Sequence, residues 1–149
     1  MTVYRGCHLP DDRVYDIEGD LWVLMEGDLA RIGMTDVAQT RMGKMVSIQF
    51  KREGRRVRSG GSVATVESAK WVGPIHTPFD GEIVEPNRAA FDTDVLIANR
   101  DPYDAGWVTL MRPDQPTRPN RPLVDGDEAV AAYMERIDEL DVSCFRCAD

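Results

Sequence analysis

The sequence predicts a mainly β fold, a barrel-like sandwich of short strands with one short internal helix and one C-terminal amphipathic helix. Between residues 45 and 111, short strand-forming runs are separated by Gly, Pro and Asn, a pattern typical of antiparallel sandwiches and barrels. Apolar residues recur at helical spacing at residues 36–42 and at residues 129–140. A chain of 149 residues should bury roughly 68–70% of its unfolded surface, so one core can form without a disulfide or a metal.

The N-terminal part is expected to be an irregular lead-in followed by a β-hairpin. Residues 1–20 contain Asp, Gly and Pro without a sustained hydrophobic period, which is typical of irregular structure. The apolar run at residues 21–25, the turn residues at 26–28 and the extended segment at 29–33 together predict the hairpin.

A short helix is expected after this hairpin. Thr35 or Asp36 can cap its first turn, and Gly43 follows its last apolar position, so the helix has room for about two turns. The remaining central region is expected to be all-β. Its extended elements are expected at residues 46–50, 62–67, 71–76, 82–85, 95–98 and 106–111.

The composition changes after Arg112. Pro113, Pro116, Pro119 and Pro122 recur at every third residue, and each proline favours the extended polyproline II conformation. A helix at residues 129–140 should follow this strap and pack its apolar face on the core. The sequence therefore predicts a lead-in (1–20), a central domain (21–112), a Pro-rich strap (113–126) and a C-terminal helix with a cysteine-containing tail (127–149).

Charge and hydropathy exclude several classes of function. The formal net charge of −8 and the isoelectric point near 4.8 argue against a free-standing nucleic-acid binder. No apolar run approaches the ~20 residues of a membrane span, and the N-terminus lacks the pattern of a signal peptide. We therefore expect a cytoplasmic protein that binds neither nucleic acid nor membranes and acts as a monomer. In that compartment the three cysteines are expected to be thiols rather than structural disulfides.

Lysine usage singles out one candidate site. The chain has 15 Arg but only three Lys, and Lys70 lies between two predicted strands, directly after Glu67, Ser68 and Ala69. This position predicts a hairpin tip that projects the lysine into solvent.

Several ordered motifs accompany this lysine within residues 21–112, which are about three-fifths of the chain. Residues 21–112 resemble the H protein of the glycine cleavage system and related lipoyl-carrier domains. The matching motifs are Gly33-Met34-Thr35-Asp36 with Ala38-Gln39, Val66-Glu67-Ser68-Ala69-Lys70, Pro78 with Asp80-Gly81-Glu82, Glu85 with Asn87, and Asn99-Arg100-Asp101-Pro102-Tyr103 with Gly106-Trp107.

This resemblance implies a lipoyl/H-protein-like barrel-sandwich hybrid and a non-catalytic carrier protein, not an enzyme. Lipoate would be held in amide linkage on Lys70, and the flanking Glu67, Ser68, Ala69 and Trp71 would be recognised by the lipoate-attaching enzyme. Biotin carriers are related, but they place methionine on both sides of the lysine, where this chain has Ala69 and Trp71.

Two departures from the glycine-cleavage pattern favour a different pathway. Trp71-Val72-Gly73-Pro74 replaces the small and polar residues that usually follow the lysine, and Cys144 and Cys147 form a CxxC near the C-terminus. These features resemble the lipoate-binding H-protein relatives of sulfur-oxidising heterodisulfide-reductase-like complexes. Our first expectation is therefore a carrier of sulfur intermediates for such a complex, with dihydrolipoamide dehydrogenase as a further partner. The alternatives are an aminomethyl carrier for the glycine-cleavage enzymes and an unmodified interaction module.

Three further features have two interpretations each. Trp71 either packs on the flank of the sheet or offers an apolar contact to the arm or a partner. Residues 51–58 carry five basic side chains, which form either a solvated hairpin or a docking patch for an acidic partner. Cys7, Cys144 and Cys147 either belong to frayed ends or take part in thiol chemistry, while one CxxC is too few ligands to predict a metal site.

Overall fold

A computed structural model describes residues 1–148 and confirms a mainly β protein. Within these residues the strands form three antiparallel sheets rather than one closed barrel, in the orders β3-β4-β5-β11-β10-β7, β6-β8-β9 and β1-β2. The elements are β1 (Thr2–Tyr4), β2 (Cys7–Leu9), β3 (Val14–Asp16), β4 (Leu21–Glu26), β5 (Leu29–Met34), α1 (Asp36–Met42), β6 (Met45–Phe50), β7 (Arg56–Val57), β8 (Ser62–Ser68), β9 (Val72–His76), β10 (Gly81–Pro86), α2 (Arg88–Thr93), α3 (Ile97–Arg100), β11 (Thr109–Pro113) and α4 (Gly126–Leu140).

The expectation of an irregular lead-in is wrong, because residues 1–20 contain three strands of three residues each. Arg5 and Gly6 both have positive φ, and this two-residue turn joins β1 to β2. The third strand, β3, extends the large sheet by pairing with β4. Strands this short leave too few residues for an alternating pattern to be recognised in the sequence.

The predicted hairpin and short helix are both present. Strands β4 and β5 pair along their full length around a turn with positive φ at Gly27. The Thr35 hydroxyl accepts a hydrogen bond from the Ala38 amide and so caps α1, which ends at Gly43. Gly43 has φ of 80°, a conformation that favours glycine.

Thr35→Ala is expected to lower the stability of the protein. The Thr35 hydroxyl also lies 2.6 Å from the buried hydroxyl of Tyr133, so Thr35→Ala removes both a cap and a buried hydrogen bond. We expect a loss of about 1–2 kcal/mol in the free energy of unfolding, measured by urea denaturation. Thr35→Ser keeps the hydroxyl and should retain most of that stability. Equal stability of the alanine variant and the wild type would contradict this role.

The all-β expectation for the centre is wrong at residues 88–100, which form two short helices. The segment expected to be extended at residues 95–98 overlaps α3, because a short apolar run fits a buried helical turn as well as a strand. Phe91 of α2 packs edge-on against Phe50, with ring centroids 5.6 Å apart. The Asp94 carboxylate accepts a hydrogen bond from the Leu96 amide and shapes the link between the helices.

The C-terminal helix forms as predicted, whereas the Pro-rich segment is not extended throughout, because the Arg118 amide donates to the Gln115 carbonyl at 3.0 Å and closes a turn. After β11 ends at Pro113, the chain runs without a helix to α4, and Tyr15 and Val124 exchange two backbone hydrogen bonds on the way. The α4 helix buries Ala129, Tyr133 and Ile137 against a second apolar cluster, separate from the main core between the two larger sheets. No helix in residues 1–148 combines the length and the hydropathy needed to cross a membrane.

Candidate functional site

Lys70 lies at the tip of the β8–β9 hairpin, as predicted, and its side chain is exposed. We call residues 68–71 the Lys70 turn. The Ser68 amide donates to the Trp71 carbonyl at 2.8 Å and closes this turn. Among residues 1–148 the Lys70 amine forms no ion pair. The hairpin thus presents a primary amine that nothing in the described chain neutralises.

The segment that joins α1 to β6 supports the Lys70 turn from below. The Ser68 hydroxyl donates to the Met42 carbonyl at 2.7 Å, and the Ala69 amide donates to the Lys44 carbonyl at 2.9 Å. The aliphatic stem of Lys70 passes over Gly43, where a Cβ would lie only 3.4–3.5 Å from three of its carbons. The backbone of the turn is therefore held on two sides while the lysine end remains exposed.

The residues predicted to flank the lysine are together at this tip, but they differ in accessibility. Glu67 and Ala69 are exposed, whereas Ser68 is 8% exposed and is used to support the turn. Trp71 is 41% exposed, and its indole covers Gly73, where any Cβ would collide with the ring. Trp71 therefore packs on its own strand and also remains available at the surface, which combines both interpretations of this residue.

A cleft of about 410 Å³ adjoins Lys70 and Trp71. Its apolar wall comes from four elements, β4, β5, α1 and β9. The sequence does not predict this cleft, because no local pattern indicates which strands and helices meet there. The apolar lining consists of Leu21, Met34, Ala38, Met42 and Ile75. The cleft can accept an elongated, largely apolar group that extends from the lysine.

The charged groups around the cleft are mostly paired within the protein. Asp20 is 6% exposed and forms ion pairs with Arg41 and Arg136, and Asp16 pairs with Arg121 at 2.6 Å. Glu18 also lines the cleft and is exposed, and its carboxylate forms no direct ion pair within residues 1–148, although Arg136 lies near it and donates to the Glu18 carbonyl at 3.2 Å. The carboxylates of Asp16, Asp20 and Glu18 thus face the guanidiniums of Arg41, Arg121 and Arg136, so these charges balance at the rim.

The cysteines do not follow the thiol prediction. Cys7 of β2 and Cys144 form a disulfide across 137 residues of sequence, whereas Cys147 is a free, buried thiol. Sequence spacing pointed to Cys144 and Cys147 as a pair, but the fold brings the C-terminal segment against β2 instead. Burial raises the pKa of the Cys147 thiol, and the nearby positive charge of Lys70 partly opposes this effect. Among residues 1–148 there is no cluster of His, Cys, Asp or Glu that could hold a metal ion.

The basic segment at residues 51–58 is partly neutralised by the protein itself. Arg56 pairs with Asp114, and Glu53 of the same segment pairs with Arg88 at 3.6 Å. The other basic side chains of the segment form no ion pair within the described residues. Docking of an acidic partner at this segment stays a prediction.

Comparison with known proteins places this chain and its fold in one family. The family model described as "Glycine cleavage H-protein" matches residues 13–136. The chain is 42% identical over 142 residues to glycine cleavage system H protein 2 of Aquifex aeolicus, covering 95% of this chain and 88% of that protein. It is 38% identical over 149 residues to the probable glycine cleavage system H protein 2 of Sulfolobus acidocaldarius, covering 98% and 99% of the two chains.

The solved structures include a similar protein. The crystal structure of a glycine cleavage system H protein from Mycobacterium marinum superposes with a TM-score of 0.71 and 34% sequence identity, covering 83% of this chain and 98% of that chain. Sequence and fold thus agree with the resemblance that the motifs around Lys70 implied. The chain belongs to the glycine cleavage H-protein family, whose members are non-catalytic lipoyl carrier proteins.

Proposed function

We propose that Lys70 carries lipoate in amide linkage and that the protein passes an aminomethyl group between the enzymes of glycine cleavage. The observation that carries this proposal is the Lys70 turn, in which an exposed amine without an ion pair in residues 1–148 stands on a backbone held by hydrogen bonds to Met42 and Lys44. Such a tip can enter the site of a lipoate-attaching enzyme and later reach several partners without exposing the core.

The residues around Lys70 fit a lipoyl group. Amide formation removes the lysine charge, and the neutral arm that results is long and largely apolar. The adjoining cleft offers an apolar wall from Met34, Met42 and Ile75, with the ring of Trp71 at its edge. When bound, the group supplies a dithiol that accepts and releases the transferred fragment.

The charge at the cleft supports an aminomethyl cargo. An amine is protonated at neutral pH, so it can bind the exposed carboxylate of Glu18, which forms no direct ion pair within residues 1–148. Arg121 is paired with Asp16, and Arg41 shares the carboxylate of Asp20 with Arg136, so these guanidiniums already contact carboxylates of the protein itself. The family membership favours the same conclusion, and glycine cleavage therefore replaces sulfur oxidation as our first assignment.

Glu18→Gln tests this role of the carboxylate. We expect lipoylation of Lys70 to be unchanged, while the fraction of protein loaded with the aminomethyl group at a fixed glycine concentration falls by up to about fivefold, the effect of one lost charge pair at a solvent-exposed position. Intact-mass spectrometry measures both quantities. Glu139→Gln, an exposed acid on α4, is the matched control and should load normally. Wild-type loading of the Glu18 variant would exclude this contribution.

Sulfur transfer through a heterodisulfide-reductase-like complex is the second candidate. One observation favours it, namely that the buried thiol of Cys147 is near enough to Lys70 for the charge of the unmodified lysine to oppose part of the rise that burial causes in the pKa of the thiol. The two candidates predict different activities for the lipoylated protein. If the lipoylated protein supports glycine decarboxylation with the other glycine-cleavage components, aminomethyl transfer is supported. If it does not, and sulfur-mass increments occur on its lipoyl or Cys147 peptide, the sulfur pathway is supported.

A further inference from the structure

The C-terminal tail, residues 141–148, is anchored to the N-terminal hairpin. Cys144 is bonded to Cys7, and the Cys144 amide donates to the Arg5 carbonyl at 2.9 Å. Gly6 permits this approach, because a Cβ at this position would collide with the Cys144 carbonyl. The disulfide thus holds the tail at Cys144, shortly after α4 ends at Leu140.

From this anchor the tail contacts the inner face of α1. The Gln39 side chain donates to the Phe145 carbonyl at 2.6 Å and accepts from the Cys147 amide at 3.2 Å. Arg146 forms an ion pair with Asp36, which is 1% exposed. These contacts leave the Cys147 residue only 7% exposed, so the seated tail shields its thiol.

A second buried amide connects α1 to the support of the Lys70 turn. Asn99 donates to the Gln39 side-chain oxygen at 3.3 Å and to the Gly43 carbonyl at 2.8 Å, and it accepts from the Met45 amide at 3.0 Å. Gln39 and Asn99 are both fully buried. Lys44 lies between Gly43 and Met45, and its carbonyl holds the Ala69 amide. Hydrogen bonds of Gln39 and Asn99, together with the backbone from Gly43 to Met45, therefore connect the tail to the Lys70 turn.

We propose that the Cys7–Cys144 disulfide is a redox-sensitive clasp that holds the C-terminal tail, and that Gln39 and Asn99 are positioning residues that transmit the seating of the tail to the Lys70 turn. Reduction by a small dithiol releases the tail, exposes Cys147 and loosens the turn. Any effect of this release on partner enzymes rests on the proposed carrier function, whereas the coupling between the tail and the Lys70 turn does not depend on that function.

The reductive step is an ordinary thiol–disulfide exchange. Cys7 is fully buried and Cys144 is only partly buried, so a thiolate of the dithiol attacks the Cys144 sulfur and Cys7 leaves as the thiolate. The second thiol of the reagent then displaces Cys144. The dithiol ends as a cyclic disulfide, and its two hydrogens end on Cys7 and Cys144.

Alkylation of Cys147 tests whether the clasp holds the tail. Iodoacetamide is applied to the oxidised protein and to the Cys7→Ser/Cys144→Ser variant, and the Cys147 peptide is quantified by mass spectrometry. We expect at least about tenfold faster alkylation in the variant, since the buried thiol reacts only after the tail opens. Ser143→Ala, an exposed position in the same tail, should alkylate as slowly as the oxidised wild type. Equal rates with and without the disulfide would overturn the clasp.

Hydrogen exchange tests the coupling to the Lys70 turn. We expect the Met45 and Ala69 amides to exchange faster after reduction with dithiothreitol, and to do so in oxidised Gln39→Ala as well. The Ile32 amide in β5 is the reference and should stay protected. Unchanged exchange rates at the Met45 and Ala69 amides would overturn the coupling. An equal rise in the exchange rate of the Ile32 amide would show instead that the disulfide stabilises the whole fold. Both assays use unmodified protein, so their outcome is independent of whether Lys70 carries lipoate.

Discussion

Lys70→Arg is expected to abolish lipoylation while leaving the fold intact. Attachment requires a primary amine that attacks an activated lipoyl group, and a guanidinium keeps the positive charge but is not acylated. Because Lys70 is exposed and forms no ion pair within the described residues, its replacement should change the free energy of unfolding by no more than about 0.5 kcal/mol. The measurement is intact mass after incubation with a lipoate-attaching enzyme, lipoate and ATP.

The other two lysines supply matched controls for this experiment. Lys51 lies in the basic segment after β6, at the opposite end of the β6–β8 pair from the Lys70 turn. Lys44 lies beside the turn, where its carbonyl accepts a hydrogen bond from the Ala69 amide. It therefore tests whether a lysine that is near the hairpin tip, but not on it, is needed for modification. Lys51→Arg and Lys44→Arg should both be lipoylated. Modification of the Lys70→Arg protein would contradict the assignment of the site.

Trp22→Ala is expected to cause the largest loss of stability among the substitutions considered. The Trp22 side chain is fully buried, packs against Gly33, and donates its indole N–H toward the carbonyls of Met34 and Pro102 at 3.1 and 3.0 Å. Its removal leaves a large cavity and takes the indole donor away from both carbonyls. We expect a loss of about 3–5 kcal/mol in the free energy of unfolding and a fall in Tm of roughly 10 °C.

Trp71→Ala is the matched control for this truncation. It removes the same number of atoms from a residue that is 41% exposed, and its effect on stability should stay within about 1 kcal/mol. Thermal unfolding followed by circular dichroism compares the two variants. Similar losses for Trp22→Ala and Trp71→Ala would contradict the different packing of the two indoles.

Local signals in the sequence predict the parts of the fold that depend on neighbouring residues. Thr35 and Gly43 stand at the ends of α1, where a capping hydroxyl and a positive φ are required. The spacing of Tyr133 and Ile137 predicts the buried face of α4. The position of Lys70 between two strands predicts an exposed tip. In each case the residues that give the signal are also the residues that form the feature.

Features that depend on distant contacts could not be predicted in this way. The pairing of Cys7 with Cys144 spans 137 residues, and nothing near either cysteine in the sequence indicates it. The cleft beside Lys70 draws its wall from β4, β5, α1 and β9, so its lining follows only from the sheet topology. Asn99 belongs to a recognisable motif, yet its hydrogen bonds to Gly43 and Met45 emerge only once α3 is packed against α1.

The central claim is that Lys70 carries lipoate, and the most direct test is the mass of the protein purified from its native host. Intact mass should show the increment of one lipoyl group, and peptide mapping should place it on the fragment that contains Lys70. An unmodified Lys70 in a host that lipoylates its other carrier proteins would contradict the claim and favour an interaction module that has kept the H-protein fold.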